Sequence, residues 1–397
     1  MTDFTRTRAL FDLPEGVVYL DGNSLGPLPK GATERVARTM RDEWGAMLIR
    51  GWNDADWISL PERVGDRIAR LIGATKGTVT AGDSTSVNLF KVLTAALSVS
   101  GTRRVVLSDS GNFPNDLYVA QEALRALGMG YELRIVAPEE VERAIDETVA
   151  VTMLTEVDYR TGRVHDMKAL TARTHEAGAI AVWDLCHSAG ALPIDLDGAG
   201  ADFAVGCGYK YLNGGPGAPA FVYSRPEWAK RAAPALAGWM GHAEPFAFDL
   251  RYRPADGATR LRVGTPPILA MVALDAALDV WEEADMKSVR TRSIELSELF
   301  IREVEARCPR LELASPRDPD RRGSQVSFRF RHGYEAIQAL IAVGVIGDFR
   351  APDIMRFGFT PLYLGMDDVL IAVDRLEDVM KRRLWEDPSY AVRAKVT

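Results

Sequence analysis

The stretch AIAVWDLCHSAGALPIDLDGAGADFAVGCGYKYLNGGPGAPAFVY, residues 179–223, decides the fold of this chain. It contains three short apolar runs with strand character, AIAVW, ADFAV and APAFVY, which are separated by turns rich in glycine and proline. Asp184 and His187 follow the first run, and Tyr209 and Lys210 follow the second. Because the carboxyl ends of neighbouring parallel strands face the crevice where open α/β sheets bind ligands, we expect these side chains to share one site.

Strand and helix patterns alternate along the chain before this stretch. The apolar runs RRVVLSD, ELRIVA and VAVTMLT are separated by the helical patterns NDLYVAQEALRALG and EEVERAI, and the helical pattern MKALTARTHEAG precedes AIAVW. Such alternation is typical of a parallel sheet with helices on its faces. The sequence therefore predicts an α/β protein with a mostly parallel central sheet.

The pattern changes after residue 223. A less regular zone ends at Pro266 and Pro267, which introduce a long helical pattern that we expect to break near Ala284 and Asp285. The segments QVSFRFR, IMRFGF and LIAVDRLEDVMKRRLW that follow are typical of a small α+β domain. We therefore predict an N-terminal arm and helix (1–48) that packs with the small domain, a large domain (49–265) and a small C-terminal domain (266–397).

Length, composition and charge indicate which classes of protein and which partners fit this chain. With 397 residues, of which 47% are hydrophobic, the chain is long enough for a large core, and its net charge of −7 argues against nucleic acid or an anionic membrane as a partner. The sequence shows neither an apolar run of transmembrane length nor a signal-peptide pattern, so we expect a cytoplasmic protein. Three cysteines without a CxxC pair fit a reducing compartment and predict no metal site.

An aspartate and a lysine at adjacent strand ends are the pair that pyridoxal 5′-phosphate (PLP) requires. The lysine amine forms a Schiff base, and the aspartate keeps the pyridine nitrogen protonated so that the ring accepts electrons. A second signal is VTAGDSTSVNLFKVLTAAL, residues 79–97, in which a short strand is followed by hydroxyl residues and an apolar helix. Hydroxyls at a helix start often serve only as caps, but here their order relative to Lys210 favours phosphate binding.

A set of motifs in fixed order extends this interpretation: GNSLG, DSTSVNL, FPND, DLCHSAG, GYKYLNGG, GWMGH, GTPP and RFGFTPLY. Between residues 19 and 363 the chain resembles the kynureninase family, class V-like PLP-dependent enzymes of fold type I in the aspartate aminotransferase superfamily. The resemblance implies a large domain with a mostly parallel seven-stranded sheet between helices. It also implies hydrolysis of the Cβ–Cγ bond of L-kynurenine or 3-hydroxykynurenine, in tryptophan catabolism, to L-alanine and anthranilate or 3-hydroxyanthranilate.

The resemblance assigns roles to individual residues of this sequence. Lys210 would carry the cofactor and move protons at the substrate Cα, and Asp184 would pair with the pyridinium nitrogen. Tyr209 would contact the phosphate and donate a proton late in the reaction. The other cofactor contacts that it implies are Thr85 and Ser86 at the phosphate, Phe113 on the ring face, Asp116 on the oxygen side of the ring, and Thr155 and His187 at its border.

The resemblance also implies a homodimer and a substrate site. Trp239 and Thr265 match positions that reach across the dimer interface to the neighbour's phosphate, so the active site would be shared between subunits. Arg356 matches the arginine that grips the α-carboxylate, which a planar guanidinium binds bidentately. Asn23 and Trp52, the latter expected in a loop, are candidates for the carboxylate and aryl ends of the substrate.

Three alternatives stay open on the sequence. A cysteine desulfurase-like lyase of the same fold shares the DxxH pattern followed by a strand and a lysine, but such enzymes place a histidine before the lysine and use a mobile cysteine. Here Tyr209 precedes Lys210, and Cys308 lies at a helix end. An aminotransferase of the same fold is the second alternative. A binding or regulatory module that keeps only the fold is the third, and its mark would be loss of the lysine, the aspartate or the arginine, all of which are present.

Overall fold

The computed structural model describes residues 2–393 of the chain. Within these residues thirteen strands form three sheets of seven, four and two strands. The strands are β1 (Val18–Tyr19), β2 (Val79–Ala81), β3 (Val105–Asp109), β4 (Glu132–Val136), β5 (Val149–Thr155), β6 (Ile180–Asp184), β7 (Phe203–Gly206), β8 (Phe221–Ser224), β9 (Glu312–Leu313), β10 (Gln325–Arg329), β11 (Val345–Ile346), β12 (Asp348–Arg350) and β13 (Ile354–Gly358).

The seven-stranded sheet has the strand order β2-β8-β7-β6-β5-β3-β4. β8 is antiparallel to both β2 and β7, and the other neighbouring strands pair in parallel. Every residue of β5, β6 and β7 is buried, because helices cover both faces of the sheet and strands in this position are apolar throughout. The mostly parallel sheet predicted from the alternating pattern is therefore confirmed.

Helices connect and cover these strands. They are α1 (Phe4–Ala9), α2 (Lys30–Arg38), α3 (Gly45–Met47), α4 (Gly51–Asp54), α5 (Leu60–Leu71), α6 (Thr85–Ser98), α7 (Pro114–Leu127), α8 (Val141–Ala144), α9 (Met167–Glu176), α10 (Leu196–Ala199), α11 (Pro226–Arg231), α12 (Ile268–Leu278), α13 (Met286–Arg307), α14 (Gly333–Ala342) and α15 (Met366–Lys381). None of the helices between residues 2 and 393 is long and apolar enough to cross a membrane.

The long helical pattern after the double proline forms two helices. α12 continues into a 3₁₀ turn at Asp279–Glu282, and α13 begins after Asp285, whose side chain accepts a 2.8 Å hydrogen bond from the Ser288 amide. An aspartate that caps the amides of a new helix favours a start at this point. The break expected near Ala284 and Asp285 is therefore confirmed.

The four-stranded sheet is antiparallel, with the order β12-β13-β10-β9, and it carries Arg356 on β13. The two-stranded sheet pairs β1 with β11 in parallel. β1 leads into the GNSLG loop, residues 22–26. Just before the loop, the Leu20 carbonyl accepts a hydrogen bond from the Gly358 amide, and at its end the Gly26 amide donates a hydrogen bond to the Tyr209 carbonyl. This loop therefore lies between the end of β13 and the segment that carries Lys210.

Candidate active site

A cavity of about 360 Å³ lies where β5, β6 and β7 end and where α6 and α7 begin. The side chains that line it come from the large sheet, from the GNSLG loop and from the four-stranded sheet. They are Asn23, Ser24, Ser84, Thr85, Ser86, Phe113, Asn115, Asp116, Thr155, Tyr159, Asp184, Cys186, His187, Tyr209, Lys210, Arg350 and Arg356. All but three of the residues predicted for the site are in this set.

Asp184 and Lys210 reach the cavity from neighbouring parallel strands. Asp184 is the last residue of β6, where it lies opposite Val205 of β7, and Lys210 follows four residues after the end of β7. Asp184 is 5% exposed and its Oδ1 accepts a 2.7 Å hydrogen bond from the Cys186 amide. That bond holds one oxygen of the carboxylate, and the Asp116 carboxyl lies within hydrogen-bond reach of Asp184.

The charges around Lys210 keep its amine protonated. Burial disfavours the ammonium form, but the negative charge of neighbouring groups, Cys207, Cys186 and Asp184 among them, raises the pKa of Lys210. Its Nζ lies 5.7 Å from the centre of the Tyr209 ring. Burial raises the pKa of Tyr209 to about 12, although the Lys210 charge lowers it. Tyr209 is therefore a phenol, with a proton to donate, over the whole neutral range.

The start of α6 forms one end of the cavity. Ser84 caps the helix by accepting a 3.4 Å hydrogen bond from the Val87 amide, and Thr85 and Ser86 are the first two helical residues. Amides at the first positions of a helix have no acceptor within the helix, and the helix dipole adds positive potential there. Three hydroxyls and these amides together form a group of donors suited to an anion.

Phe113 and Asp116 come from the start of α7, whose first residue is Pro114. The Phe113 ring packs edge-on against Tyr159 at 5.1 Å, and Asp116 is 1% exposed. Burial and the neighbouring Asp184 carboxylate raise the pKa of Asp116 well above its usual range, and its Oδ2 has no hydrogen-bond partner within residues 2–393. The protonated form of Asp116 is therefore favoured beside Asp184.

His187 and Asn23 meet between the large sheet and the GNSLG loop. His187 Nε2 donates a 3.1 Å hydrogen bond to the Asn23 carbonyl, and burial together with the charges of Lys210 and Arg356 lowers the pKa of His187 well below 6.5. The Asn23 side chain is fully buried, yet neither its Oδ1 nor its Nδ2 has a partner within the described chain. Buried amides are almost always hydrogen-bonded, so a group that enters the cavity is expected to bind Asn23.

Arg356 is 1% exposed and is held on several sides. Its Nε donates a 2.6 Å hydrogen bond to Asp348 Oδ1, and its Nη2 donates to Asp348 Oδ2 and, at 3.0 Å, to Ser24 Oγ. Its Nη1 donates to the Tyr159 carbonyl. The guanidinium therefore reaches the cavity as part of a buried ion pair.

Six of the residues that line the cavity were not predicted from the sequence, and two of these six lie outside the sequence motifs. Ser24, Ser84, Asn115 and Cys186 lie inside the motifs GNSLG, DSTS, FPND and DLCHSAG, so those motifs were a sufficient signal. Tyr159 and Arg350 lie outside any motif. Arg350 belongs to the alternating pattern Asp348-Phe349-Arg350. This pattern indicates a cavity residue only once the pairing of β12 with β13, the strand that carries Arg356, is known.

Three predicted residues lie outside the cavity of this chain. Trp52 belongs to the short helix α4 rather than to a loop, and its ring packs edge-on against Trp57 at 5.8 Å. The backbone leaves the preceding helix at Leu48, whose φ is +54°, and α4 then follows directly on a 3₁₀ turn at Leu48–Arg50. Trp239 is 40% exposed beside Phe246, and Thr265 lines a small cleft with Lys91 and Asp83.

Comparison with known proteins gives one consistent answer. A family model described as the kynureninase C-terminal domain matches residues 289–376. A kynureninase from Pseudomonas fluorescens is 51% identical to this chain over 397 residues, which cover 98% of this chain and 95% of that protein. A kynureninase from Burkholderia pseudomallei (strain 1106a) is 49% identical with the same coverage.

Solved structures with the same fold are more distant in sequence. A cysteine desulfurase from Escherichia coli superposes with a TM-score of 0.81 at 18% identity, covering 96% of this chain and 99% of its own. A C-DES variant with glycine covalently linked to its PLP cofactor gives a TM-score of 0.79 at 17% identity, covering 95% and 100%. These likenesses establish the PLP-dependent fold. The identity of 51% over nearly the whole length decides the family: the chain belongs to the kynureninase family.

Proposed function

We propose that this protein hydrolyses the Cβ–Cγ bond of L-kynurenine, of 3-hydroxykynurenine or of both, with PLP as cofactor. The products are L-alanine and anthranilate or 3-hydroxyanthranilate. The observation that carries the proposal is the meeting of Lys210, Asp184 and the start of α6 in one cavity, in a chain of this family. Lys210 would be the attachment point of the cofactor, Asp184 would pair with its ring nitrogen, and Thr85 and Ser86 would bind its phosphate.

The residues present fit PLP by their chemistry. The cavity offers an amine, a carboxylate at the adjacent strand end and an anion-binding helix start, which suit an aldehyde, a pyridine nitrogen and a phosphate. Burial favours the protonated form of Asp116, which would be a hydrogen-bond donor for the oxygen side of the ring. Phe113, Thr155 and His187, which also line the cavity, would border the ring, and Tyr209 would contribute to the phosphate site.

PLP, when bound, supplies an electron sink that makes the Cα proton acidic and the Cβ–Cγ bond labile. The protein supplies the proton transfers. With cofactor and substrate bound, Lys210 would be placed to move the proton at the substrate Cα. The Asp184 carboxylate would lie beside the ring nitrogen and favour the protonated form of that nitrogen.

Hydrolysis requires a water molecule and a proton donor. Water adds its oxygen to Cγ, the Cβ–Cγ bond breaks, Cγ leaves as the aryl carboxylic acid, and Cβ takes up a proton to become the methyl group of alanine. Tyr209 lies next to Lys210 and is protonated at neutral pH, so it donates this proton. Arg356 and Asn23 hold the α-carboxylate and thereby set which Cα bond is activated.

We propose a homodimer that shares two active sites. Large apolar side chains are exposed in two segments, at Met40, Trp44, Leu48 and Ile49 and at Phe246, Phe248, Leu250 and Tyr252. Burying two such segments against a second copy explains their composition. Trp239 and Thr265 would then reach the partner's phosphate site, and Trp52 is a candidate for the partner's aryl pocket. Mixing Lys210→Ala with Thr265→Ala subunits should restore part of the activity, and no rescue would contradict the shared site.

We further propose a division of the chain into an arm (1–48), a large domain (49–265) and a small domain (266–397), whose terminal residues 1 and 394–397 lie outside the described part. The seven-stranded sheet lies within the second range and the four-stranded sheet within the third. The pairing of β1 with β11 supports an arm that packs on the small domain. A cytoplasmic location is proposed from the sparse cysteines, which are free and buried.

The decisive experiment follows anthranilate fluorescence after addition of L-kynurenine to the PLP-loaded protein. Formation of anthranilate and alanine in equal amounts, with loss of the reaction in Lys210→Ala, is the expected result. Alanine formed from cysteine, with sulfur transfer, would instead support the desulfurase alternative. Cys308 gives that alternative no support, because it is buried at the end of α13 and is not among the residues that line the cavity.

A further inference from the structure

A largely buried group of three charged or titratable side chains lies at the carboxyl end of β3. It consists of Asp109, Arg163 and His165, and none of the three is among the residues that line the cavity. We propose that His165 is a positioning residue, which through the loop 156–165 sets the place of Arg356 for the substrate carboxylate. This inference rests on the proposed function, because it assumes an amino-acid substrate bound in the cavity.

Both nitrogens of the His165 ring have partners. Nε2 lies 2.9 Å from Asp109 Oδ2, and Nδ1 lies 3.1 Å from Arg163 Nη1. A proton on Nε2 lets the ring donate to the carboxylate and accept from the guanidinium. The side chains of His165 and Asp109 are only 5% and 0% exposed. Loss of the imidazole would therefore leave a buried carboxylate with one hydrogen-bond donor fewer.

Asp109 belongs to the turn that leads from β3 into α7. Its Oδ1 accepts a 2.7 Å hydrogen bond from the Gly111 amide, and its carbonyl accepts one of 3.1 Å from the Asn112 amide. The Asn112 side chain accepts a 2.7 Å hydrogen bond from the Phe113 amide. Asp109 therefore gives His165 an anchor whose position is set by the large sheet and by the start of α7.

His165 ends the loop 156–165, which follows β5 and is closed by hydrogen bonds across its base. The His165 amide donates a 2.9 Å hydrogen bond to the Glu156 carbonyl, and the Asp158 amide donates one of 2.8 Å to the Arg163 carbonyl. Asp158 Oδ1 also accepts hydrogen bonds of 2.7 and 3.0 Å from two amides of the turn that follows it. Because the loop is closed in this way, the anchor at His165 fixes the turn at its other end.

Tyr159, in that turn, connects the loop to Arg356. Its carbonyl accepts a hydrogen bond from Arg356 Nη1 and another, of 2.9 Å, from Gln325 Nε2. Asp348 binds the other side of the guanidinium, at Nε and Nη2. The Tyr159 ring lines the cavity and packs edge-on against Phe113 at 5.1 Å. A shift of the loop would therefore move the carboxylate-binding guanidinium, and small displacements at a preorganised site have large effects.

The test removes the bond between His165 and Asp109 and measures the binding of two probes that differ only in the carboxylate. L-alanine carries it, and L-alaninamide replaces it by a neutral amide. Dissociation constants come from the absorbance change of the bound cofactor in the PLP-loaded protein, a readout that needs no turnover. In His165→Phe we expect L-alanine to bind about 10- to 30-fold more weakly and L-alaninamide less than about threefold more weakly, because only the carboxylate makes a charged bond to Arg356.

His175→Phe is the matched control, because His175 belongs to a second histidine–aspartate pair at the opposite edge of the large sheet. Its Nε2 lies 2.8 Å from Oδ2 of Asp202, the residue before β7. This variant should lose stability without changing the affinity for either probe. His165→Gln, whose amide can still donate to Asp109, should recover most of the affinity for L-alanine. His165→Asn, whose amide is too short, should not, and it replaces His165→Phe if that variant does not fold.

An unchanged affinity for L-alanine in His165→Phe and His165→Asn would overturn the inference. An equal loss for both probes would also overturn it, since it would mean that the whole cavity is disturbed and not the place of Arg356. A loss confined to L-alanine, with recovery in His165→Gln, is the expected supporting result. The proposed function fails separately, if wild type binds L-alanine but releases no anthranilate from L-kynurenine.

Discussion

Arg356 and Asp348 form a buried ion pair, in which Arg356 Nε donates a 2.6 Å hydrogen bond to Asp348 Oδ1 and the side chains are 1% and 3% exposed. The antiparallel register of β12 and β13 places the two residues directly opposite each other. Burial opposes ionisation of Asp348, but the charges of Arg356 and Arg350, together with hydrogen bonds from Arg356 and Ser24, outweigh it and lower its pKa. The pair orients the guanidinium before any substrate binds, which reduces the ordering cost of binding.

Asp348→Asn should therefore cost stability as well as substrate affinity. Removing one partner of a buried pair leaves the other charge uncompensated, and we expect the free energy of unfolding to fall by about 3 kcal/mol at pH 7. Urea denaturation of the PLP-loaded protein measures the loss. Asp367→Asn, at an exposed position in the first turn of α15, is the control. Equal stability of the two variants would contradict the prediction.

Gly26→Ala should disturb the lysine without touching a charged group. A Cβ at Gly26 would lie 2.4 Å from the Lys210 carbonyl oxygen and 2.7 Å from the Asn213 Cα, so the backbone that carries Lys210 must move. We expect cofactor affinity to fall by at least about tenfold, since small displacements at a preorganised site carry large penalties.

Gly31→Ala is the matched control for this change. Gly31 lies in α2 and a Cβ there meets nothing within 4 Å. It should leave PLP binding unchanged and stabilise the helix by about 0.5–1 kcal/mol. Fluorescence titration with PLP separates the two variants, and similar affinities in both would refute the role given to Gly26.

Glu156→Gln should change the pH dependence of stability. Glu156 is 8% exposed behind Asp184, whose carbonyl accepts a 3.0 Å hydrogen bond from the Glu156 amide, and burial raises the pKa of Glu156 from 4.5 to about 7. Because the pKa of Glu156 is higher in the folded than in the unfolded state, its contribution to the stability of the wild type is fully present below about pH 4.5. That contribution is lost as the pH rises towards 7.

Glutamine stays neutral throughout this range. Glu156→Gln should therefore exceed wild type by about 1–3 kcal/mol in unfolding free energy at pH 8, and the difference should become small near about pH 4. Denaturation curves at the two pH values test it. Glu147→Gln, on an exposed loop, should show no such pH-dependent difference. A constant difference at both pH values would point to packing rather than titration.

The variant Asp184→Asn tests whether Asp184 keeps the ring nitrogen of the cofactor protonated. An amide keeps the shape and the contact with the Cys186 amide but supplies no negative charge, and one opposite charge shifts a neighbouring pKa by about 1–3 units. We expect kcat to fall by about 100-fold or more, with a changed absorbance spectrum of the bound cofactor and little change in stability. A normal kcat in this variant would show that Asp184 does not pair with the ring nitrogen.

Local patterns in the sequence predicted much of this protein. Strand ends in parallel α/β sheets point to one edge, so Asp184, Lys210 and the start of α6 could be assigned to a common site from period and order alone. The break near Ala284 and Asp285 was also predicted from the sequence, and the structure shows that Asp285 caps α13 there. These features depend on residues close together in the chain.

Tertiary structure decided what depends on distant partners. Arg356 contacts Asp348, Ser24 and Tyr159, which lie in the C-terminal sheet, the N-terminal loop and the segment after β5. The sequence could not predict these contacts, because they form only when the three elements pack together. The same packing brings Arg350 to the cavity and leaves Trp52, Trp239 and Thr265 outside it in a single chain. The sequence by itself determined the sheet, the family motifs and the Asp184–Lys210 pair. Only the fold decided which charges are compensated and which donors remain for a ligand, because charge compensation is a property of distances between elements.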